Sequence, residues 1–165
     1  MKILITAPHA ACSPDNPERH CDRLAKKTAE ILALALRKEG AETTLLINET
    51  VLRSTLDLNR EPSDFFTVFK KELTLADYLL DIHSFPILKE KVYLLDRPPF
   101  FPIKLPYVSF LAADLNYLIV TAKEVGVPAI LIEFWEGLSD EMLIEECMKI
   151  AKTLTTRPRL ILLKI

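Results

Sequence analysis

Two histidines and several carboxylates stand where the chain's apolar runs end. His9 lies three residues beyond the run Lys2 to Thr6, Asp57-Leu58-Asn59-Arg60 follows Thr43 to Ile47, Asp81-Ile82-His83-Ser84 closes the run that begins at Tyr78, and Glu133 directly follows Ala129 to Ile132. Neutral imidazole and carboxylate are the usual protein ligands of catalytic zinc, which keeps three of them and leaves a fourth position for water. Such a centre lowers the pKa of water to about 7, so that a neighbouring carboxylate can serve as a base near neutral pH. A guanidinium offers a planar fork that fits a carboxylate at two points, so arginines beside the centre point to an anionic group on the substrate. Asp57 fits a place one step out from the metal, accepting a hydrogen bond from a ligand histidine and fixing its tautomer.

The elements that must position these groups alternate. Lys2 to Thr6 reads as a strand feeding a polar, proline-bearing loop from Ala10 to Arg19. From Asp22 to Glu39 the residues Leu24, Ala25, Ile31, Leu32, Ala35 and Leu36 recur at helical spacing and stop at Gly40. Thr43 to Ile47 reads as a strand, Pro62 to Leu73 as a helix opened by proline, Tyr78 to Ile82 as a strand and Val92 to Leu95 as a short one. A proline-rich loop from Arg97 to Pro106 precedes a helix over Phe110 to Val125, a strand over Ala129 to Ile132, a helix over Asp140 to Leu154 and a last strand over Leu160 to Leu163. This order predicts an α/β three-layer sandwich with a mostly parallel or mixed central sheet, in which a ligand sits beyond the carboxyl ends of the strands.

Length and composition narrow the possibilities. A chain of 165 residues, half of them hydrophobic and with mean hydropathy +0.19, fits one self-sufficient domain over 1–165 with strands buried on both faces. The 21 basic residues are scattered against 23 acidic ones, which excludes the basic stripe of a nucleic-acid partner. No apolar run of about 18 residues is present to span a membrane. Cys12, Cys21 and Cys147 match no paired framework, so the expectation is a soluble, reduced, cytoplasmic protein. A thiolate site from Cys12 and Cys21 with His20 matches no closed zinc spacing.

Taken together, the motifs resemble the zinc carboxypeptidase superfamily, most closely its N-formylglutamate amidohydrolase branch, with the aspartoacylase branch also similar. The matching pieces are Pro8-His9-Ala10, Asp22 at the first helix, Arg53 four residues before Asp57-Leu58-Asn59-Arg60, Asp81-Ile82-His83-Ser84 and Ile132-Glu133; they span Met1 to about Glu136. The resemblance implies that His9, Asp22 and His83 bind one zinc ion, with Glu18 and Asp15 as alternatives for the acidic ligand because Cys12 stands where many relatives carry it. It implies Glu133 as general base, Arg53 as the group that meets the oxyanion, and Asn59 with Arg60 as the clamp on a substrate carboxylate.

Ordinary readings of the same residues remain open at this level. Asp22 could merely cap the first helix, and Arg53 and Arg60 could pair with Glu49 or Glu61 at the surface. Glu133 is harder to dismiss, since a carboxylate directly after a buried apolar strand must be paired or functional, and Glu136 takes its place if the chain turns differently. A serine triad of Asp81, His83 and Ser84 fails because residues two apart on a strand share a face while their neighbour points away, and no Gly-x-Ser-x-Gly elbow exists. The expected activity is hydrolysis of an amide in a small carboxylate-bearing substrate such as an N-acyl or N-formyl amino acid. The alternatives are a metallopeptidase or amidase acting on peptide or cell-wall peptide, and a non-catalytic carboxylate-binding relative.

Overall fold

The computed structural model describes residues 1–12, 21–53, 55–58, 63–86, 90–96, 102–111 and 116–156. Its elements are β1 (Lys2–Ala7), α1 (Ala25–Lys38), β2 (Glu42–Ile47), α2 (Asp64–Leu73), β3 (Tyr78–Phe85), β4 (Val92–Asp96), β5 (Val108–Leu111), α3 (Tyr117–Glu124), β6 (Ala129–Trp135) and α4 (Asp140–Thr156). The strands form one sheet in the order β2-β1-β3-β6-β4-β5. All neighbours run parallel except β4 and β6, which are antiparallel. The sheet is therefore mixed, and its parallel core brings the carboxyl ends of β1, β2, β3 and β6 to one edge.

Strand alternation decides which helix pair covers which face. Ile3, Ile5 and Ala7 of β1, Leu80 and Ile82 of β3, and Ile130, Ile132 and Phe134 of β6 pack with the buried residues of α1 and α4. Leu4, Leu79, Ala129 and Leu131 pack on the other face with Phe66, Phe69 and Leu73 of α2 and with Leu118, Ile119 and Ala122 of α3. Fully buried side chains such as Phe69 and Phe134 each contribute about 1.5–3 kcal/mol of transfer free energy to this three-layer packing.

Helices begin where caps or tertiary contacts satisfy their first N–H groups. Ser63 accepts from Phe66 N at 3.2 Å to open α2, and Asn116 accepts from Ile119 N at 3.0 Å to open α3. Asp22 is no cap: α1 starts at Ala25 with Leu24 as its cap residue and no side-chain cap bond. The helix expected over 110–125 is corrected. Its first residues belong to strand β5, paired in parallel with β4 from Tyr93↔Val108 to Asp96↔Leu111, and among the described residues of that range the helix is Tyr117–Glu124. Pairing with a neighbouring strand settled a short apolar run that sequence periodicity alone leaves ambiguous. The strand expected over 160–163 lies outside the described residues. Among the described residues no helix is long and apolar enough to cross a membrane.

Candidate metal centre

The parity of β3 places its polar residues. Asp81 and His83 extend from the face that carries Leu79, whereas Ser84 belongs to the face of Leu80 and Ile82. Asp81 is fully buried and accepts three hydrogen bonds: from Thr6 Oγ1 at 2.7 Å on the paired residue of β1, from Asn116 Nδ2 at 3.0 Å at the start of α3, and from His83 Nε2 at 3.0 Å. An ionised carboxylate only accepts, so Nε2 of His83 carries a proton and its Nδ1 faces the opposite way. That Nδ1 lies 2.6 Å from Oδ2 of Asp22.

His9 repeats the arrangement from the end of β1. Its Nε2 donates to Oδ1 of Asp57 at 2.8 Å, and its Nδ1 is a buried nitrogen with no hydrogen-bond partner among the described residues, 3.6 Å from the same Asp22 Oδ2. The two imidazole rings meet edge to face with centroids 5.0 Å apart. One ligand atom each from His9, Asp22 and His83 lies within 4.8 Å of the others, and all three residues are buried. Two nitrogens and an oxygen turned inward, one of them a buried nitrogen with no hydrogen-bond partner among the described residues, form a donor set that suits a divalent cation of the zinc type. Asp57 and Asp81, behind the rings, stand where carboxylates orient ligand histidines.

The charge balance follows from burial and proximity. Burial disfavours ionised Asp22, yet the His83 imidazole and then that of His9 outweigh it and hold the carboxyl far below the usual range. Asp81 is likewise lowered: burial opposes its charge, and His83, Thr6 and Asn116 prevail. Burial alone would lower the pKa of His83, but Asp81 and Asp22 on its two sides push it well above 6.5.

Glu133 stands beside His83 on β6, its Cα partner in the sheet, and faces the same side. Its pKa is raised, first by burial and then by repulsion from Asp22 and Asp81, with His83 and Arg53 working the other way. Oε2 of Glu133 is buried and has no hydrogen-bond partner among the described residues. Arg53 is 40% exposed and reaches inward, Nε lying 3.5 Å from Asp57 Oδ2 and Nη1 3.9 Å from Asp22 Oδ1. Glu136, the other candidate base, is turned away and accepts from Ser84 Oγ at 2.9 Å.

Asn59 and Arg60, named as a carboxylate clamp, lie outside the described residues, as do Asp15, Glu18 and His20. Thr6 and Asn116 went unnoticed in the sequence. Both are ordinary residues far from His83 along the chain, and only the register of β1 with β3 and the capping of α3 bring them to Asp81. The cysteine expectation is corrected: Cys12 and Cys21 form a disulfide with Cα atoms 5.0 Å apart, leaving Cys147 free and buried. The chain returns alongside itself there, Asp22 N donating to His9 O at 2.9 Å, a closure that an odd cysteine count conceals.

No protein-family model matches the chain, and no curated protein matches it. Solved structures do. A gene product of Agrobacterium tumefaciens aligns with TM-score 0.61 at 13% identity, over 92% of this chain and 84% of that one. The N-acetylmuramoyl-L-alanine amidase AmiC2 of Nostoc punctiforme aligns with TM-score 0.56 at 13% identity, over 93% and 94%. The CwlD amidase of Clostridioides difficile, in complex with the GerS lipoprotein, aligns with TM-score 0.52 at 16% identity, again over 93% and 94%. At such identities the likeness shows the fold, and the fold this chain shares with these proteins is an α/β architecture that also carries N-acetylmuramoyl-L-alanine amidases.

Proposed function

We propose that this chain is a metal-dependent amidase that hydrolyses a C–N bond in an acylated amino acid or peptide, with the amide joining a muramoyl-type acyl group to a peptide as its first candidate substrate. The observation that carries the reading is the convergence of His9, Asp22 and His83, whose ligand atoms lie within 4.8 Å of one another, with a buried carboxylate oxygen of Glu133 on the same side that has no hydrogen-bond partner among the described residues. The solved amidases of the same fold favour the cell-wall peptide substrate over the free N-formyl amino acid. That narrower substrate keeps one support, the Arg53 guanidinium beside Asp57, which fits an anionic substrate group.

In this reading His9 and His83 present Nδ1 and Asp22 presents Oδ2 to one zinc-type ion. When bound, the ion acts as a Lewis acid on the amide carbonyl and makes water a stronger acid. Asp57 and Asp81 hold the two rings by their Nε2–H groups, so neither ring rotates during the reaction. Glu133 takes the proton of the attacking water on its free oxygen and delivers it to the leaving nitrogen. Its raised pKa suits both halves of that task, since a base that is too weak would never accept the proton and one that is too strong would not return it. Arg53, partly exposed at the mouth, donates to the oxygen on which negative charge develops.

The test is a panel of muramoyl-peptide fragments and of formyl-, acetyl- and peptidyl-amino acids, assayed with the zinc-loaded protein and with Glu133→Gln. The reading expects release of a free amine from at least one class and a loss of about 10²–10⁴-fold in the variant, with metal content unchanged. Full turnover by Glu133→Gln removes the general-base role. Calorimetric binding of a carboxylate ligand without turnover by the loaded wild type leaves a binding protein in place of an enzyme.

A further inference from the structure

The cation site reads as the product of one sheet face, yet Asp22 comes from the start of a helix that packs on the other. α1 lacks a side-chain cap of its own, so its leading N–H groups need partners from elsewhere. Ser84 and Glu136 hold the two N–H groups that lead into it, those of Arg23 and Leu24. Arg23 N–H donates to Oε1 of Glu136 at 2.8 Å, Leu24 N–H donates to Oγ of Ser84 at 3.0 Å, and the Ser84 hydroxyl donates to the same Glu136 Oε1 at 2.9 Å. The next residue back, Asp22, donates its N–H to His9 O at 2.9 Å. Three consecutive backbone groups, 22 to 24, are thus held by residues from the ends of three different strands.

Strand alternation explains why these two residues and no others do it. Ser84 lies opposite Phe134 in the β3–β6 register, on the α1/α4 face, while its neighbour His83 lies opposite Glu133 on the α2/α3 face. Glu136 continues β6 past Trp135, its N–H donating to Phe85 O at 3.0 Å, and returns to the face of Ser84. The two strand ends therefore divide their labour. His83 and Glu133 serve the reaction side, and Ser84 with Glu136 grips the helix start on the reverse side.

We infer that Ser84 and Glu136 are positioning residues for the cation site, acting through the backbone of residues 23 and 24 to hold the Asp22 carboxylate within reach of His9 and His83. The inference rests on the reading of His9, Asp22 and His83 as holders of a divalent cation. Glu136 touches none of those three side chains by any described bond; its reach is through the Arg23 amide and the Ser84 hydroxyl. A carboxylate oxygen accepting two hydrogen bonds is committed, which separates the role of Glu136 from that of Glu133, whose Oε2 has no hydrogen-bond partner among the described residues.

The measurement is zinc affinity of the metal-stripped full chain by competition with a chromophoric chelator, with circular dichroism and thermal midpoint recorded on each variant. Glu136→Ala is expected to weaken zinc binding about 10–100-fold, the range seen when groups behind a metal ligand are removed. Glu136→Gln, whose amide oxygen still accepts from Arg23 N and Ser84 Oγ, is expected to stay within about threefold of the wild type. Ser84→Ala, which removes two of the three bonds but leaves the Arg23 N–H on Glu136, falls between them and covers the case in which Glu136→Ala fails to fold. A folded Glu136→Ala or Ser84→Ala with wild-type zinc affinity overturns the inference while leaving the cation site standing. A wild type that binds no zinc removes the cation site and the inference with it.

Discussion

At the residue scale, two imidazoles are each pinned by a carboxylate, and the pinning decides which nitrogen faces inward. Because Asp57 and Asp81 take the Nε2 protons, the Nδ1 atoms of His9 and His83 are left to meet at Asp22. The two carboxylates are not equivalent. Asp57 is partly open to solvent, whereas Asp81 is fully buried and holds Thr6 and Asn116 as well as His83. Asp81→Asn is therefore expected to lower zinc affinity about 10–100-fold and to cost about 1–3 kcal/mol of stability in urea, because one of its donors is left facing an N–H₂ group. An unchanged affinity would mean that the His83 ring needs no support. The positions of His9, His83 and Glu133 were legible in the sequence because imidazole and carboxylate at the ends of apolar runs stand out. The supports were not: a threonine inside a strand and an asparagine capping a distant helix carry no such mark, and their partner is decided by sheet register.

At the element scale, the turn after β6 is set by contact between Trp135 and Gly137. A Cβ on Gly137 would fall inside the indole, at Cζ2 and Cε2, while the indole N–H donates to Pro86 O at 3.2 Å. Gly137→Ala must displace that ring, with a cost of about 1–3 kcal/mol. Trp135 is the chain's one tryptophan, so a shift of its fluorescence together with a lower thermal midpoint is the expected result, and wild-type emission would show that the ring is not trapped. The element order was largely readable because α1 shows a clear amphipathic period and the short apolar runs of β1, β3 and β6 alternate with helical segments in a β-α order. Of the helix expected over 110–125, Tyr117–Glu124 is helical, but Phe110 and Leu111 at its start belong to strand β5; a short apolar run fits a strand or a helix equally well, and the deciding contact with β4 is tertiary. The Ser84 and Glu136 grip was likewise invisible, since it depends on which face each residue takes at the last step of its strand.

At the scale of the whole molecule, two apolar cores clamp a sheet whose parallel strands end together, and the polar cluster lies at that edge. Asp22 and Asp81 are buried carboxylates on the two sides of the His83 ring, and among the described residues His9 Nδ1 has no hydrogen-bond partner, its nearest acceptor being Asp22 Oδ2 at 3.6 Å. A ligand that binds only the folded chain stabilises it by RT ln(1 + [L]/Kd), about 2.7 kcal/mol at a hundredfold excess over Kd. For a chain of 165 residues that corresponds to a rise of about 5–10 °C in thermal midpoint when zinc is added to the stripped protein, reversed by chelator. A midpoint indifferent to zinc would mark the cluster as a self-contained ion-pair network.

Metal content of the purified chain, measured by elemental analysis for the wild type and His83→Ala side by side, tests the shared site most directly. The account predicts close to one equivalent of zinc or a similar divalent ion in the wild type and a marked loss in the variant. Equal metal content in the two proteins, or a zinc-loaded wild type that gives up nothing when His83 is removed, would contradict it.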